Sequence, residues 1–251
     1  TVGDKKFLVD CGMFQGNQLN EAKNKEPLPF NPAQLTGVIA THAHLDHVGR
    51  LPLLAKNGFE GHFYATPPTI ELIELILEDA LHIMIYNHNH NGAEILYDST
   101  DIAKVMSQFK PTEYGKKTQL APGVFFTLHD AGHIFGSAFV EVEADDKRVV
   151  FSGDVGNISV PILRDTENLP KDLDALVCES TYGNRLHEAS DKREELLVEE
   201  ITAALRRGGT LMIPSFSFER TQELIYELNE LIDRKHVLPR VPIFLDSPLA
   251  I

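Results

Sequence analysis

The stretch that most constrains this chain is Thr41-His42-Ala43-His44-Leu45-Asp46-His47-Val48-Gly49. Four ligand-type side chains, His42, His44, Asp46 and His47, fall within six residues, directly after the apolar run Gly37-Val-Ile-Ala-Thr41. A short apolar run bounded by glycine and polar residues is the pattern of a buried strand. A tight turn at the end of that strand projects His42 and His44 to one side, and the start of the next helix presents Asp46 and His47 beside them. Neutral imidazole and carboxylate are the ligands that divalent zinc accepts, so the segment predicts a metal site. A polar loop that is His-rich by accident is the alternative; average residue usage gives that coincidence odds on the order of 1 in 10,000.

Two later segments offer further ligands. Asp130-Ala-Gly-His133-Ile-Phe-Gly136-Ser137 places a histidine in a glycine-flanked turn between strands, and Ser152-Gly153-Asp154-Val155-Gly156-Asn157 places an aspartate at a strand end. Glycine there lets backbone approach a ligand closely or adopt positive φ. Alone, each reads as an ordinary turn residue; beside the first motif, each is due as a ligand of a closed coordination shell. The remaining histidines carry less. His88 and His90 form an HxH within Asn87–Gly92, read as a polar loop with no third ligand due. His62, His82, His129, His187 and His236 are expected to be structural or exposed. Cys178 is expected as a buried thiol on an apolar strand, and Asp191–Glu195 as a solvated helix face.

Strands are expected at Lys6–Asp10, Gly37–Thr41, His62–Ala65, Val124–Leu128, Ala138–Glu143 and Arg148–Phe151, with a hairpin turn at Asp145-Asp146. Ala175–Cys178 reads as a further buried strand. Apolar spacing predicts helices over Val48–Lys56 and Thr69 to about His82, and a shorter one capped by Ser99 or Thr100 that runs to about Phe109. After Tyr182-Gly183 the rhythm becomes alternating. A helix Glu194–Leu205 stopped by Arg207-Gly208-Gly209, a strand Thr210–Pro214, a helix Glu219–Ile232 and a strand Val241–Asp246 imply parallel pairing with crossovers. A domain boundary is therefore placed near Gly183, dividing the chain into 1–183 and 184–251.

Composition narrows the function. Of 251 residues, 23 are Lys or Arg and 37 are Asp or Glu, a formal charge of −14. Such a chain has no broad basic face for nucleic acid; a phosphate backbone would be held through metal ions or a local pocket. Two cysteines cannot make a disulfide framework, which suits a reducing compartment, and no apolar run approaches the length of a transmembrane helix. The first residues lack a signal-peptide pattern and an initiator Met, and both ends read as cuts through a longer protein.

These motifs together resemble the metallo-β-lactamase superfamily: HxHxDH at His42, His44, Asp46 and His47, then His133 and Asp154. Leu8-Val-Asp10-Cys-Gly-Met-Phe-Gln-Gly16 is similar to the family's first motif. Cys178-Glu179-Ser-Thr-Tyr-Gly183, Ile213–Leu224 and Asp246-Ser-Pro-Leu-Ala250 resemble the β-CASP branch. The closest likeness there is to the subfamily of the 73-kDa cleavage and polyadenylation specificity factor; RNase J matches less well. The resemblance implies an α/β fold, an αββα sandwich followed by the start of a Rossmann-like β-CASP domain. It implies two zinc ions per full-length chain, with His42, His44 and His133 on one, Asp46 and His47 on the other with a histidine beyond Ile251, and Asp154 bridging. A shared hydroxide would attack the phosphodiester of single-stranded RNA in line. Asp10 would orient a ligand from behind, and Glu179 would assist there or in proton transfer to the leaving oxygen. Ser215, Ser217 and Arg220, between a strand and a helix start, are candidate contacts to the RNA phosphate; the alternative is a capping and packing loop. The expected setting is cytoplasmic, with a homodimer as a further possibility. Competing functions are a DNA nuclease of the same branch, a thioester or lactone hydrolase, and a non-catalytic scaffold subunit.

Overall fold

The computed structural model describes residues 1–186 and 192–250, so His187 and Asp191 lie outside the described residues. The chain divides into two compact units, Thr1–Ile158 with Arg164–Glu179, and Ser159–Leu163 with Ser180–Ile251.

In the first unit the elements run β1 (Lys6–Val9), α1 (Gln18–Ala22), β2 (Leu35–Ile39), α2 (Leu45–Val48), α3 (Leu51–Lys56), β3 (His62–Ala65), α4 (Pro67–Asn91), α5 (Ser99–Gln108), β4 (Phe109–Pro111), β5 (Thr118–Ala121), β6 (Val124–Asp130), β7 (Ala138–Ala144), β8 (Lys147–Phe151) and β9 (Ala175–Val177). One sheet has the order β1-β2-β3-β4 and is parallel throughout; the other has the order β5-β6-β7-β8-β9, antiparallel except for β8 with β9. Side chains alternate across a strand, and that period divides the core. Val38 and Phe63 turn to the helices, among Leu51, Leu54, Ile73, Leu77 and Val105. Their neighbours Ile39 and Tyr64 turn to the second sheet, against Phe126, Leu128 and Val140. A helical layer and two sheets therefore stack in the order α-β-β, the mixed α/β architecture expected.

Several elements differ from the sequence reading, each for a local reason. The helix expected over Val48–Lys56 is two pieces, because Pro52 has no N–H to give the carbonyl of Val48 and α3 restarts with that proline in its first turn. The second helix does not stop at His82. It runs to Asn91, where Gly92 at φ 72° closes it and donates its N–H to the His88 carbonyl. His88 and His90 are thus helical, and His90 stacks on Tyr86 one turn earlier, with ring centroids 3.9 Å apart. Asp98, one residue before the expected caps, accepts the N–H of Thr100 and of Asp101, and Asp101 returns a carboxylate to the Asp98 N–H. Asp145 and Asp146 make the hairpin turn with φ of 50° and 57°, the left-handed pair that a two-residue turn requires. α1, β4 and β5 are additions. β9 is an edge strand with all three residues exposed, and Cys178 beyond it is exposed, not buried.

The second unit holds α6 (Arg193–Arg207), closed by Gly208 at φ 65°, and α7 (Arg220–Asn229). Ile201, Leu228, Leu231, Ile232 and Leu238 form its core. The expected strands Thr210–Pro214 and Val241–Asp246 have no ladder among the described residues, and Met212 and Phe244 stand exposed. Apolar sequence alone does not make a strand; its N–H and C=O groups need a partner strand. No helix among the described residues is long and apolar enough to cross a membrane.

Candidate metal centre

The two sheets deliver the site together, and the parallel one supplies its first residues. In parallel sheets, loops at the carboxyl ends of the strands collect functional groups. Asp10 follows β1 directly and His42 follows β2 by three residues. Asp10 sits at φ 61°, a left-handed conformation unusual for a residue with a Cβ. Three hydrogen bonds hold it there. Its carboxylate accepts the Thr41 N–H and the Thr41 hydroxyl, both at 2.8 Å, and His47 Nδ1 at 2.7 Å.

These bonds set tautomers. The Thr41 hydroxyl donates to Asp10, so it accepts from His42 Nδ1, 3.0 Å away, which leaves the His42 Nε2 lone pair aimed outward. His47 gives its Nδ1 proton to Asp10 and turns Nε2 towards Asp154. His133 comes from the turn between β6 and β7. Ser137 Oγ accepts the N–H of His133 at 3.0 Å and of Ile134 at 3.2 Å, closing that turn. Asp154 follows β8 through Gly153, which has φ 53° and a Cβ position 2.8 Å from Thr41, too close for any side chain.

His42, His44, His133 and Asp154 bring one ligand atom each to within 4.8 Å of one another. His44 Nδ1 lies 3.0 Å from His42 Nε2 and 3.2 Å from His133 Nε2. Asp154 Oδ2 lies 3.5 Å from His133 Nε2 and 3.8 Å from His42 Nε2. A tetrahedral zinc with bonds of about 2.0–2.1 Å has ligand–ligand edges of about 3.3 Å. Three imidazoles and a carboxylate at these separations fit a divalent metal in both chemistry and spacing. The other oxygen of Asp154 faces a different partner, His47 Nε2 at 3.2 Å. Asp46, half exposed, reaches to 3.9 Å of His47 Nε2 and stands outside the set of four.

Charge follows position. Burial holds the imidazole of His42 well below its ordinary value, with His47, His44 and His133 adding to the effect, and burial lowers His44 as well. Both are neutral near pH 7, the form that ligates metal. Burial opposes protonation of His47 too, but the hydrogen bonds and charges of Asp10 and Asp154 outweigh it and lift it to about 10. The hydrogen bond from His47 lowers Asp154.

The two ligand loops are latched to one another. Gly156 lies so close to the His133 loop that a Cβ there would be 1.6 Å from the Gly132 carbonyl oxygen. The carbonyl of Ala131 accepts the Gly156 N–H and the Thr166 hydroxyl, both at 2.8 Å. Glu179, after β9, accepts the Val155 N–H at 2.8 Å and donates its own N–H to Ser152 Oγ at 2.9 Å, gripping the Asp154 loop at both ends.

The family model of the metallo-β-lactamase superfamily matches residues 1–200. The chain belongs to the metallo-β-lactamase superfamily. It is 40% identical over 249 residues to the ribonuclease TTHA0252 of Thermus thermophilus, covering 99% of this chain and 54% of that protein. It is 36% identical over 251 residues to the transcription termination factor FttA of Methanosarcina mazei, covering 97% of this chain and 38% of that protein. FttA of Pyrococcus horikoshii is 36% identical over 218 residues. The chain spans about half the length of the first of these relatives and less of the others.

The four residues that converge here, and Asp10 and Glu179 behind them, are legible in the sequence; Thr41, Ser137 and Thr166, which tie the loops, are not among its candidates. Ser137 carried a signal, four residues after His133 and able to close its turn. Thr41, at a strand end, carried a weaker one. Thr166 carried none, being 35 residues from the carbonyl it holds. In the second unit, Ser215 Oγ pairs with Thr221 Oγ1 at 2.7 Å and Ser217 Oγ with Ser247 Oγ at 2.9 Å. Arg220 donates to Glu223 at 2.9 Å. Each of the three candidate phosphate contacts thus has an internal partner. Of the histidines set aside, His129 is structural. It lies between Glu141 at 2.9 Å and Glu167 at 3.2 Å and stacks on Phe139.

Proposed function

We propose that the chain is the catalytic part of a zinc-dependent ribonuclease acting on single-stranded RNA. The observation that carries this reading is the convergence of His42, His44, His133 and Asp154. In this reading those four residues hold one zinc, and Asp46, His47 and the second oxygen of Asp154 face another. Zinc would supply Lewis acidity, making a water acidic near neutral pH and offsetting charge that builds on the phosphate. The protein's own groups do the positioning. Asp10 orients His47 and, through Thr41, fixes the tautomer of His42; Glu179 holds the Asp154 loop. The second unit, with 184–251, is the start of a β-CASP domain. RNA is favoured as substrate because the relatives' names, a ribonuclease and a transcription termination factor, both concern RNA. The free thiols of Cys11 and Cys178 suit a reducing, cytoplasmic setting.

The test is Asp154→Ala in the intact protein, with metal content and cleavage of a single-stranded RNA measured together. Cleavage should fall by more than about a hundredfold with loss of bound zinc, because a ligand shared by both positions is removed. Activity within a few-fold of wild type at normal zinc content would refute the assignment.

A further inference from the structure

An exposed aromatic ring stands beside the metal-binding motif, and the function derived above leaves it unused. Gly12 packs against the Asp46–His47 backbone so closely that a Cβ there would lie 1.5 Å from the Asp46 carbonyl oxygen. Met13 N–H donates to the Leu45 carbonyl at 2.9 Å, and Phe14 follows at once. Phe14 is 40% exposed, although its backbone is fixed at both ends. The side chain of Asn24 accepts its N–H and donates to its carbonyl, each at 2.8 Å. Two cations attend the ring: the Arg50 guanidinium carbon lies 4.7 Å from its centroid and the Lys23 ammonium 5.5 Å.

Neither cation is committed to a carboxylate. Arg50 gives its Nε proton to the Gly12 carbonyl at 2.8 Å, and Lys23 reaches the amide oxygen of Asn20 at 3.4 Å. Both partners are neutral, and neither cation forms an ion pair among the described residues. In a chain of net charge −14, two unpaired cations on one rigid, exposed aromatic are a local exception to the acidic surface. An aromatic face with adjacent positive charge is how single-stranded nucleic acid is held without sequence readout: a base stacks on the ring or on the guanidinium plane, and the phosphate meets the cations. A peptide or membrane partner would call for a broader apolar patch than one ring.

We infer that Phe14, with Arg50 and Lys23, forms a nucleobase-stacking subsite for a nucleotide of single-stranded RNA lying next to the metal centre. This rests on the ribonuclease reading. The two can fail separately.

The experiment measures steady-state RNA cleavage by the intact protein, wild type, Phe14→Leu and Phe14→Trp, on an oligonucleotide with 2-aminopurine placed at successive positions. Zinc content and thermal unfolding are recorded for each. Phe14→Leu keeps apolar volume and loses the aromatic face. KM should rise on the order of tenfold, the loss falling on KM and not on kcat, and Phe14→Trp should restore it. One 2-aminopurine position should be quenched on binding to wild type and not to Phe14→Leu. Unchanged KM and unchanged quenching in folded Phe14→Leu would overturn the subsite while the ribonuclease reading stands. Wild type that hydrolyses bis(4-nitrophenyl) phosphate but neither binds nor cuts RNA would overturn both. If Phe14→Leu does not fold, Lys23→Gln, at an exposed lysine over the ring, decides: a raised KM for RNA with unchanged kcat supports the subsite, and an unchanged KM refutes it.

Discussion

The first unit buries Val38, Phe63, Leu128 and Val140 completely, whereas Met212 and Phe244 of the second unit are almost fully in solvent. Both units carry apolar runs of similar length in sequence. In the first, every such run but the edge strand β9 has partner strands and a helical or sheet layer against it. In the second, α6 and α7 bury one small cluster and the intervening apolar runs find no ladder among the described residues. Helices close their own hydrogen bonds; strands depend on neighbours. A metal centre needs ligands fixed to a few tenths of an ångström, and only the first unit has the rigid packing to do that. Its candidate ligands come from loops after β2, β6 and β8, each tied to another loop by Asp10, Thr166 or Glu179.

The largest expected effect tests whether that machinery reaches as far as Glu179, the last residue of the first unit. Glu179→Gln should lower RNA hydrolysis by about 10²–10⁴ while zinc content stays normal, since a proton-transfer or orienting carboxylate is lost and no ligand is. Turnover of a thioester, untouched by the substitution, with no RNA cleavage would leave only the family assignment standing.

A stability pair probes the contrast directly. Leu128→Ala should cost about 2–5 kcal/mol by opening a cavity between the sheets. Met212→Ala should stay within about 0.5 kcal/mol, because its side chain contacts mostly water. Denaturant midpoints for both variants decide; similar losses would mean that the two units are equally well packed.

The smallest effect is chemical. Alkylation with iodoacetamide at pH 8 should modify Cys178, which is exposed, and spare Cys11, which is buried. Burial also pushes the Cys11 thiol up to about 11, so its reactive thiolate is scarce at every pH below that and grows only as pH rises toward it. Equal labelling of the two by mass spectrometry would contradict the burial.

Much of the site was legible because its parts are local. HxHxDH occupies six consecutive positions, and the glycine-flanked His133 and Asp154 each announce a turn. The last turns of α4 are not legible as helix because their asparagines and histidines favour loops and caps. The strands β4 and β5, of three and four residues, are too short to show a period.

Residue type and short-range spacing, then, were enough to determine the candidate ligands, the first strands and the turns that expose them, because these depend on hydrogen bonds and periodicities within a few residues. Which lone pairs meet was decided by the tertiary structure alone. Asp10 reaches His47 across 37 residues, and His133 reaches His44 across 89. Such contacts form only when the packed sheets offset the entropy of closing those loops, and that gain belongs to the whole core, not to any one motif.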